Sequence, residues 1–447
     1  MSKNLVAKFG GTSVKNAESI YQVFNIVKSN PNIRIVVVSA IGGVTDLLLE
    51  YSYTSRRKRS RYIQYIKDIH INIVRDLDLP LAEVIEKKVS VLDFYKNKES
   101  LSLRDIDNII ALGEDLSSLI ISHFFCSNNL LTHFFDIRRL LRTNSAYGRA
   151  TPFLNEIQKN LHLLPEGLVV TQGFIGSDLN GHTTTLGRGG SDYSAALLAE
   201  ALQSEELLIY KDVNGVCSID PFIDSQAKLI PKISFQEMRD MANFGAKILH
   251  LSTLEPCFRS KTAIKILSTF NPYSEHTSIT FDNLSLEKTR QILAITLRRK
   301  QALVSIRNYL GINKNEILDK VFSLLSEYEI VTEILTINDT ELSFIVNSQN
   351  FSLRRFSPFS SNQRLICKLK TLAEIFIEED LTLIAIIGRN LTVKGILPQI
   401  LSLLNNVMFR LVHYEASNSS LGILVNNKDA EMIARILHQQ LIIDHIQ

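Results

Sequence analysis

The sequence predicts an α/β fold, with a mainly parallel sheet between helical layers, followed by two small α+β modules. Three observations carry this expectation. Short β-branched runs in the first part of the chain end in glycine or hydroxyl residues and lead into helical periodicity, as parallel strands with ligand-binding loops do. After about residue 290 the glycine-ended strands stop. From there a β-α-β-β order is read twice, which is an internal repeat.

Composition bounds the reading. A chain of 447 residues is too long for one ordinary domain, and two or three are expected. With 45% hydrophobic and 21% charged residues it is of globular type and able to bury large cores. The 49 basic and 46 acidic residues leave a net charge of +3, which argues against a dedicated nucleic-acid protein. Cys126, Cys217, Cys257 and Cys367 stand far apart without a C-x-x-C, so neither a disulfide framework nor a structural zinc site is expected. The N-terminus lacks the apolar core of a signal peptide, and no run approaches the roughly 18 apolar residues of a membrane span. A soluble, cytoplasmic protein with no membrane or nucleic-acid partner is expected.

Residues 5–9 read as a short buried strand that breaks at Gly10 and Gly11, before a helical stretch at 17–27. Lys8 lies in that strand and points towards the crevice beyond it. It reads either as a lysine snorkelling at a strand end or as a fixed ammonium that offsets phosphate charge. Residues 34–43 repeat the pattern, a β-branched run with Ser39, Gly42 and Gly43, followed by Thr45. Five basic residues within 56–61 read as the solvated face of a helix, since no aromatic platform accompanies them. Residues 81–160 are mostly helical by periodicity. Among them Glu114 falls inside an apolar helix, where a carboxylate must face water or a ligand. A third glycine-ended strand is expected at 168–176, and a fourth at 206–216 carrying Lys211, Asp212 and the turn residues Asn214 and Gly215.

Between these two strands, residues 183–202 organise the chain. A loop of Gly187, Arg188, Gly189, Gly190 and Ser191 runs into an apolar helical segment at 195–202. Ser191 is the expected N-cap, and Asp192 falls in the first turn, where a carboxylate suits the helix dipole. The stretch reads in two ways. One is a tight turn before a buried helix. The other is an anion site where backbone N–H groups face a carboxylate or phosphate and Arg188 adds a planar fork of donors. It is neither the dinucleotide pattern, which needs glycine where Asp192 stands, nor a P-loop. Further on, Ser234 and Glu237 form a capping box that opens a helix running to 250, and 263–268 closes the region as a strand.

The second region is expected to hold strand 302–307, helix 316–327 and strands 330–335 and 341–346, then a polar loop at 357–363. Strand 381–387, helix 393–404 and strands 409–414 and 421–425 repeat the order, with a last helix at 429–440. Catalytic-looking residues are missing here, so these units read as binding or assembly modules. In the first region Lys8, Glu114, Arg188, Asp212 and Lys247 accompany Gly-rich loops without an obvious nucleophile or metal cluster. That inventory suits phosphoryl transfer, which depends on positioning and charge neutralisation.

Five motifs in order then resemble the aspartate kinase family, nearest to its single-function, lysine-sensitive type: KFGGTSV at 8–14, TQGFIG at 171–176, TTTLGRGGSDY at 183–193, KDVNG at 211–215 and GAKILH at 245–250. The resemblance covers essentially the whole chain. It implies an amino-acid-kinase fold over 1–290 and two ferredoxin-like ACT domains at 291–375 and 376–447, with the last helix able to complete the first. It implies synthesis of 4-phospho-L-aspartate from L-aspartate and ATP with Mg2+, the first step towards diaminopimelate and lysine, methionine and threonine. It also implies feedback inhibition by lysine and a homodimer formed through the ACT domains.

By the same resemblance, Lys8 with Gly10 and Gly11 holds the transferring phosphoryl group, and Asp192 orients Lys8. Arg188 clamps the aspartate α-carboxylate, Glu114 and Thr45 hold the rest including its ammonium, and Ser39 and Ser191 line the pocket. Lys211, Asp212, Cys217 and Lys247 lie on the nucleotide side, and no protein ligand for magnesium is implied. The inhibitor pocket maps to Ile317, Leu318, Val331, Thr332 and Glu333, with Ile337 and Asn338 just downstream; Glu333 is the carboxylate for a lysine ammonium. The chain departs from the family at Cys217 and Phe222, where a tyrosine and an arginine are expected, and at Leu251, where proline is usual. Altered nucleotide contact is implied. Two other classes fit the residues: a kinase of another substrate on the same scaffold, and an amino-acid-binding regulator with an inactive kinase region. Arg188 and Glu114, matching the two charges of an α-amino acid, favour aspartate. Intact Lys8, Arg188 and Asp212 favour an enzyme.

Overall fold

The computed structural model describes residues 4–281, 292–307, 313–332, 334–348, 361–389, 391, 396–405, 407–414 and 419–444. They form two compact units, one of residues 1–216, 229–239 and 247–284, the other of 217–228, 240–246 and 285–447.

The strands of the first unit are β1 (Leu5–Phe9), β2 (Ile33–Val38), β3 (Thr132–Phe135), β4 (Arg142–Thr143), β5 (Leu168–Gln172), β6 (Ile175–Asp178), β7 (Thr183–Thr185), β8 (Glu206–Lys211), β9 (Lys232–Ser234), β10 (Ala263–Ser268) and β11 (Thr277–Thr280). Eight of them form one sheet in the order β3-β5-β2-β1-β8-β10-β11-β9, and only the β10–β11 pair is antiparallel. A parallel sheet is covered on both faces, which is why its strands are apolar without alternation. Val6, Ala7, Val36, Val37 and Val38 are all fully buried. In β1, Lys8 pairs in register with Val37 of β2 on one side and Ile209 of β8 on the other. The strand order thus runs outwards in opposite directions from β1, and ligands bind at the carboxyl ends beside such a switch point.

Helices Ala17–Ser29, Val44–Tyr53 and Leu103–Ser127 pack their apolar residues into one core with β1 and β2, including Phe24, Leu48, Leu116 and Phe124. Ser102 and Asp105 cap the start of the longest helix reciprocally. That helix is long and apolar enough to cross a membrane, yet it is mostly buried inside the protein.

Several local expectations change. Residues 81–160 are helical as far as Ser127 and again over Leu154–Asn160; between them the chain crosses into edge strand β3 and the short β4. The single strand expected at 168–176 is two strands broken at Gly173 and Phe174. Phe174 there adopts a left-handed φ of 68°, and a Cβ at Gly173 would lie 2.7 Å from the Ser191 Cβ. Strand β8 ends at Lys211, just before Asp212 and the turn residues Asn214 and Gly215. The capping box at Ser234 and Glu237 forms, with reciprocal bonds of 2.8 and 3.2 Å. Its helix ends at Asn243 instead of 250, and Gly245 at φ 103° takes the chain into a conformation only glycine adopts freely.

In the second unit β12 (Ile292–Arg307), β13 (Leu335–Ile337), β14 (Glu341–Asn347), β15 (Glu374–Gly388), β16 (Phe409–Tyr414) and β17 (Ser420–Asn426) form an antiparallel sheet in the order β13-β14-β12-β15-β17-β16. The two long central strands each serve two cores. Ile295 of β12 and Ile384 and Ile386 of β15 pack with helices Ile396–Leu403 and Ala430–His438. Val304 and Ile306 of β12, with Ile375 and Ile377 of β15, pack with helices Lys314–Glu327 and Ser361–Lys370. Between the halves, Lys300 at φ 59° and Asp380 at φ 60° interrupt the pairing. A one-residue slip of this kind reverses which side chains face which side of a sheet. The strand expected at 330–335 lies later, at Leu335–Ile337, after a turn through Glu329 at φ 55°. Helix Ser361–Lys370 begins inside the loop expected at 357–363, because Leu365, Ile366 and Leu369 give it a buried face.

Candidate active site

The carboxyl ends of β1 and β2, the start of helix Val44–Tyr53, the middle of helix Leu103–Ser127 and the first turn of helix Gly190–Ala201 enclose a cleft of about 360 Å³. Lys8, Gly11, Ser39, Thr45, Glu114, Ser191 and Asp192 all line it. Two close approaches shape it. A Cβ on Gly11 would lie 2.9 Å from the Ala40 carbonyl oxygen, so only glycine lets the two strand ends converge. At Gly10 a Cβ would meet nothing nearer than the Lys8 Nζ at 3.6 Å, an ordinary contact. Helix Gly190–Ala201 is entered through Gly189 at φ 70°, and no side chain caps it. Ser191, the expected N-cap, is its second residue. The uncapped first turn leaves backbone N–H groups and the positive end of the dipole for an anion.

Lys8 is 6% exposed, with its Nζ 2.5 Å from Asp192 Oδ1. The other oxygen of Asp192 takes the Lys211 ammonium at 3.1 Å. One carboxylate therefore holds two cations, a net positive cluster at the floor of the cleft. Burial lowers the pKa of Lys8, and the adjacent carboxylate opposes that. Burial alone would push the Asp192 carboxyl up, but the two ammonium groups outweigh it and hold it below the usual range.

Glu114 is 2% exposed. Its Oε1 accepts the Ala40 N–H at 3.1 Å, while Oε2 has no hydrogen-bond partner among the described residues. Burial pushes this carboxyl up to about 8, against the Ala40 bond and the Lys8 charge. A buried carboxylate oxygen with an open side is costly unless a donor completes it. An ammonium from a ligand in the cleft would do so.

Other expected residues are not gathered here. Arg188 is exposed on the loop above the cleft and has no hydrogen bond or ion pair among the described residues. After burial, its charge is what holds the His250 imidazole below the usual histidine range. Asp212 and Lys247 are exposed, also without a partner among the described residues. Cys217 belongs to the second unit, where burial raises its thiol, and Phe222 is 98% exposed. Of the inhibitor-pocket residues, Ile317 is fully buried in a core with Leu318 packed against it, Val331 is exposed and Thr332 half-buried. Ile337 and Asn338 line a separate cavity of about 580 Å³ on the sheet, beside Arg307 and Glu341. Glu333 lies outside the described residues. Among the described residues no three His, Cys, Asp or Glu side chains are grouped to hold a metal ion.

Sequence reasoning missed Phe174, which lines the cleft and whose N–H donates to the Ser194 Oγ at 2.9 Å. Gly173 beside it was the available signal. It also missed Asp115 and Arg138, joined by bonds of 3.0 and 2.6 Å next to Glu114. No periodicity or motif marks that pair.

Comparison with known proteins shows the family and the fold. The amino acid kinase family matches residues 3–268. The lysine-sensitive aspartokinase 3 of Escherichia coli is 34% identical over 452 residues, covering 99% of this chain and all of its own length. The crystal structure of E. coli aspartokinase III with aspartate and ADP, in its R-state, superposes with a TM-score of 0.89 at 33% identity, covering 98% of this chain and 100% of that one. The same enzyme with lysine and aspartate, in its T-state, superposes at 0.78, covering 98% and 99%.

Proposed function

The chain belongs to the amino acid kinase family and, within it, to the aspartokinases, and on that premise we propose that the cleft around Lys8, Asp192 and Glu114 is where it phosphorylates the side-chain carboxylate of L-aspartate with ATP. The product is 4-phospho-L-aspartate. The observation that carries the assignment to this cleft is the pairing of two opposite devices in one cavity: a carboxylate bridging two ammonium groups, and a second buried carboxylate with an unpartnered oxygen. The first suits a phosphoryl group, the second the ammonium of an amino acid.

The aspartate side chain is already ionised at neutral pH, so it attacks the terminal phosphorus without a general base. Lys8 offsets the charge of the transferring group, and Asp192 keeps that ammonium charged and aimed. Lys211 adds a second cation at the same place. Gly10 and Gly11 keep side chains away from the phosphates. Glu114 and Thr45 hold the substrate's ammonium end, with Ser39 and Ser191 on the wall. Asp212, Lys247 and Cys217 are assigned to the nucleotide. Mg2+ would travel on the nucleotide's phosphates, an ion that commonly keeps its waters and takes few protein ligands; when bound it neutralises phosphate oxygens.

Arg188 is assigned to the substrate α-carboxylate, which its exposed side chain reaches by turning from solvent into the cleft. An ammonium lacks the fork of a guanidinium. Arg188→Lys is therefore expected to raise the aspartate KM about tenfold or more while the ATP KM moves little, as read from initial rates. An effect confined to ATP would place this loop on the nucleotide.

Lysine feeds back on this activity. We assign its site to the second unit, around Ile317, Leu318, Val331, Thr332, Glu333 and Asn338, with a homodimer formed through the same unit. We divide the chain into a catalytic part over 1–290 and two regulatory modules, but the last helix does not complete the first of them: helix Ala430–His438 packs in the core of Ile384 and Ile386, to which Ile295 of β12 is added, and not in the core of Val304 and Ile306. A soluble, cytoplasmic enzyme is the matching setting. ADP release from MgATP is expected with aspartate, not with glutamate, and millimolar lysine is expected to suppress it. Turnover with another amino acid alone would move the enzyme elsewhere in its family. Indifference to lysine would remove the regulatory assignment while sparing the kinase.

A further inference from the structure

Next to Glu114 on its helix, about 100° round the axis, Asp115 enters a cluster that the reaction as described does not use. Its carboxylate takes a bidentate pair from Arg138, 3.0 Å from Nη1 and 2.6 Å from Nη2. It also accepts Gln172 Nε2 at 3.0 Å. Arg138 also donates from Nη1 to the two Asp136 oxygens, at 3.1 and 3.0 Å, and from Nε to Thr183 Oγ1 at 3.1 Å. The Arg138 and Asp115 side chains are each 19% exposed. These partners stand at the ends of separate elements. Gln172 closes β5, Asp136 caps the 3-10 turn after β3, and Thr183 opens β7. Gln172 Oε1 in turn accepts the Ile137 N–H at 3.1 Å. The guanidinium therefore ties helix Leu103–Ser127 to two strand ends, through Asp136 and Thr183, and the Asp115 carboxylate adds a third through Gln172; the rotation they fix sets where Glu114 points.

We propose that Arg138 and Asp115 are positioning residues for the aspartate subsite: the pair locks the helix with Glu114 facing the cleft, and the guanidinium neutralises a carboxylate that would otherwise repel Glu114 from one residue away. This rests on the reading of Glu114 as partner of the substrate ammonium. To receive that ammonium Glu114 must be ionised. Burial, first, and then the Asp115 charge work against ionisation, while Lys8 from β1 favours it. The other charges around the cleft are Asp192 with its Lys211 partner and Asp46 at the start of helix Val44–Tyr53. Without Arg138, the Asp115 charge is unmasked and Glu114 keeps its proton to higher pH.

The test uses the full-length enzyme, following aspartate KM, ATP KM and kcat from about pH 6.5 to 9.5 in Arg138→Gln, Asp115→Asn, the double variant and Glu114→Gln. Arg138→Gln is expected to shift the midpoint of the aspartate KM profile up by about one pH unit and raise that KM about tenfold at neutral pH, with ATP KM within about twofold. Asp115→Asn should shift the midpoint down, and the double variant should return it to near wild type. Opposite shifts from two partners of one lost contact are not what general loosening produces. A midpoint that stays put in Arg138→Gln, or that the double variant fails to restore, overturns the proposal. Glu114→Gln separates the two readings. It should erase the midpoint altogether, and if it does not, the role of Glu114 fails and the proposal with it.

Discussion

Lys8→Ala is expected to lower kcat by on the order of 10²-fold or more while the protein stays folded, because it removes a charge partner of the transition state. The side chain sits at the centre of the sheet, 6% exposed, with Asp192 as its ion-pair partner at 2.5 Å. Folding should survive, since Asp192 keeps the Lys211 ammonium at 3.1 Å and is not left as an unpaired buried charge. Lys8→Arg should not restore the rate, because the second Asp192 oxygen is taken by Lys211 and a planar fork finds no bidentate partner. A coupled assay for ADP release, alongside thermal melting, reads both outcomes. A near-normal kcat in a well-folded Lys8→Ala protein would remove Lys8 from the phosphoryl site.

Glu114→Gln is expected to raise the aspartate KM by about 10²-fold or more, the order expected when one partner of a buried charge pair is removed, with ATP KM within about twofold. The same variant has a second, independent signature in stability. The carboxyl is held up to about 8 in the folded protein, by burial first, against an ordinary value of 4.5. A native pKa above the unfolded one means that the protonated native form is favoured. That contribution is complete below about pH 4.5 and is lost as pH rises through about 8. The amide does not titrate. Glu114→Gln should therefore melt progressively higher than wild type as pH is raised from 5 to 8, in the absence of aspartate. A constant melting difference across that range would mean that Glu114 is not held protonated in the empty cleft.

The two signatures also explain why a binding enzyme keeps so unfavourable a group. Without substrate, the unpartnered Oε2 costs stability above neutral pH. In the proposed role, an arriving ammonium would supply the missing donor and draw the carboxyl back towards its charged form. Binding energy is thus available to a substrate that carries the ammonium, and is withheld from an analogue that lacks it. The cost falls on the free enzyme and the discrimination on the complex.

Local chemistry made much of this legible from sequence. Strands β1 and β10 were read with their bounds unchanged, because β-branched runs ended by glycine or polar residues depend on few neighbours. The capping box at Ser234 is a contact three residues long and was equally readable. Its helix end was not, since Gly245 can continue or stop a helix and only the surrounding packing selects φ 103°. Edge strand β3 was lost inside an apolar stretch for a similar reason. A Thr-His-Phe-Phe segment fits a helix or a strand until β5 pairs with it.

What the sequence alone determined, then, is the order of elements and the identity of the ligand-facing loops, because strand ends, glycines and caps are set by interactions spanning a few residues. The family resemblance implied a shared site for Lys8, Glu114 and Asp192, and the three line one cleft. What only the tertiary structure decided is how charge is shared there. Asp192 bridges Lys8 and Lys211, Glu114 reaches Ala40 across 74 residues and leaves one oxygen open, and Arg138 and Gln172 meet at the Asp115 carboxylate. Likewise, nothing local in β12 or β15 announces that each long strand is divided between two cores at Lys300 and Asp380. Pairings of this kind depend on which distant segments the fold brings within 3 Å, and a linear pattern of residue types carries no such distance.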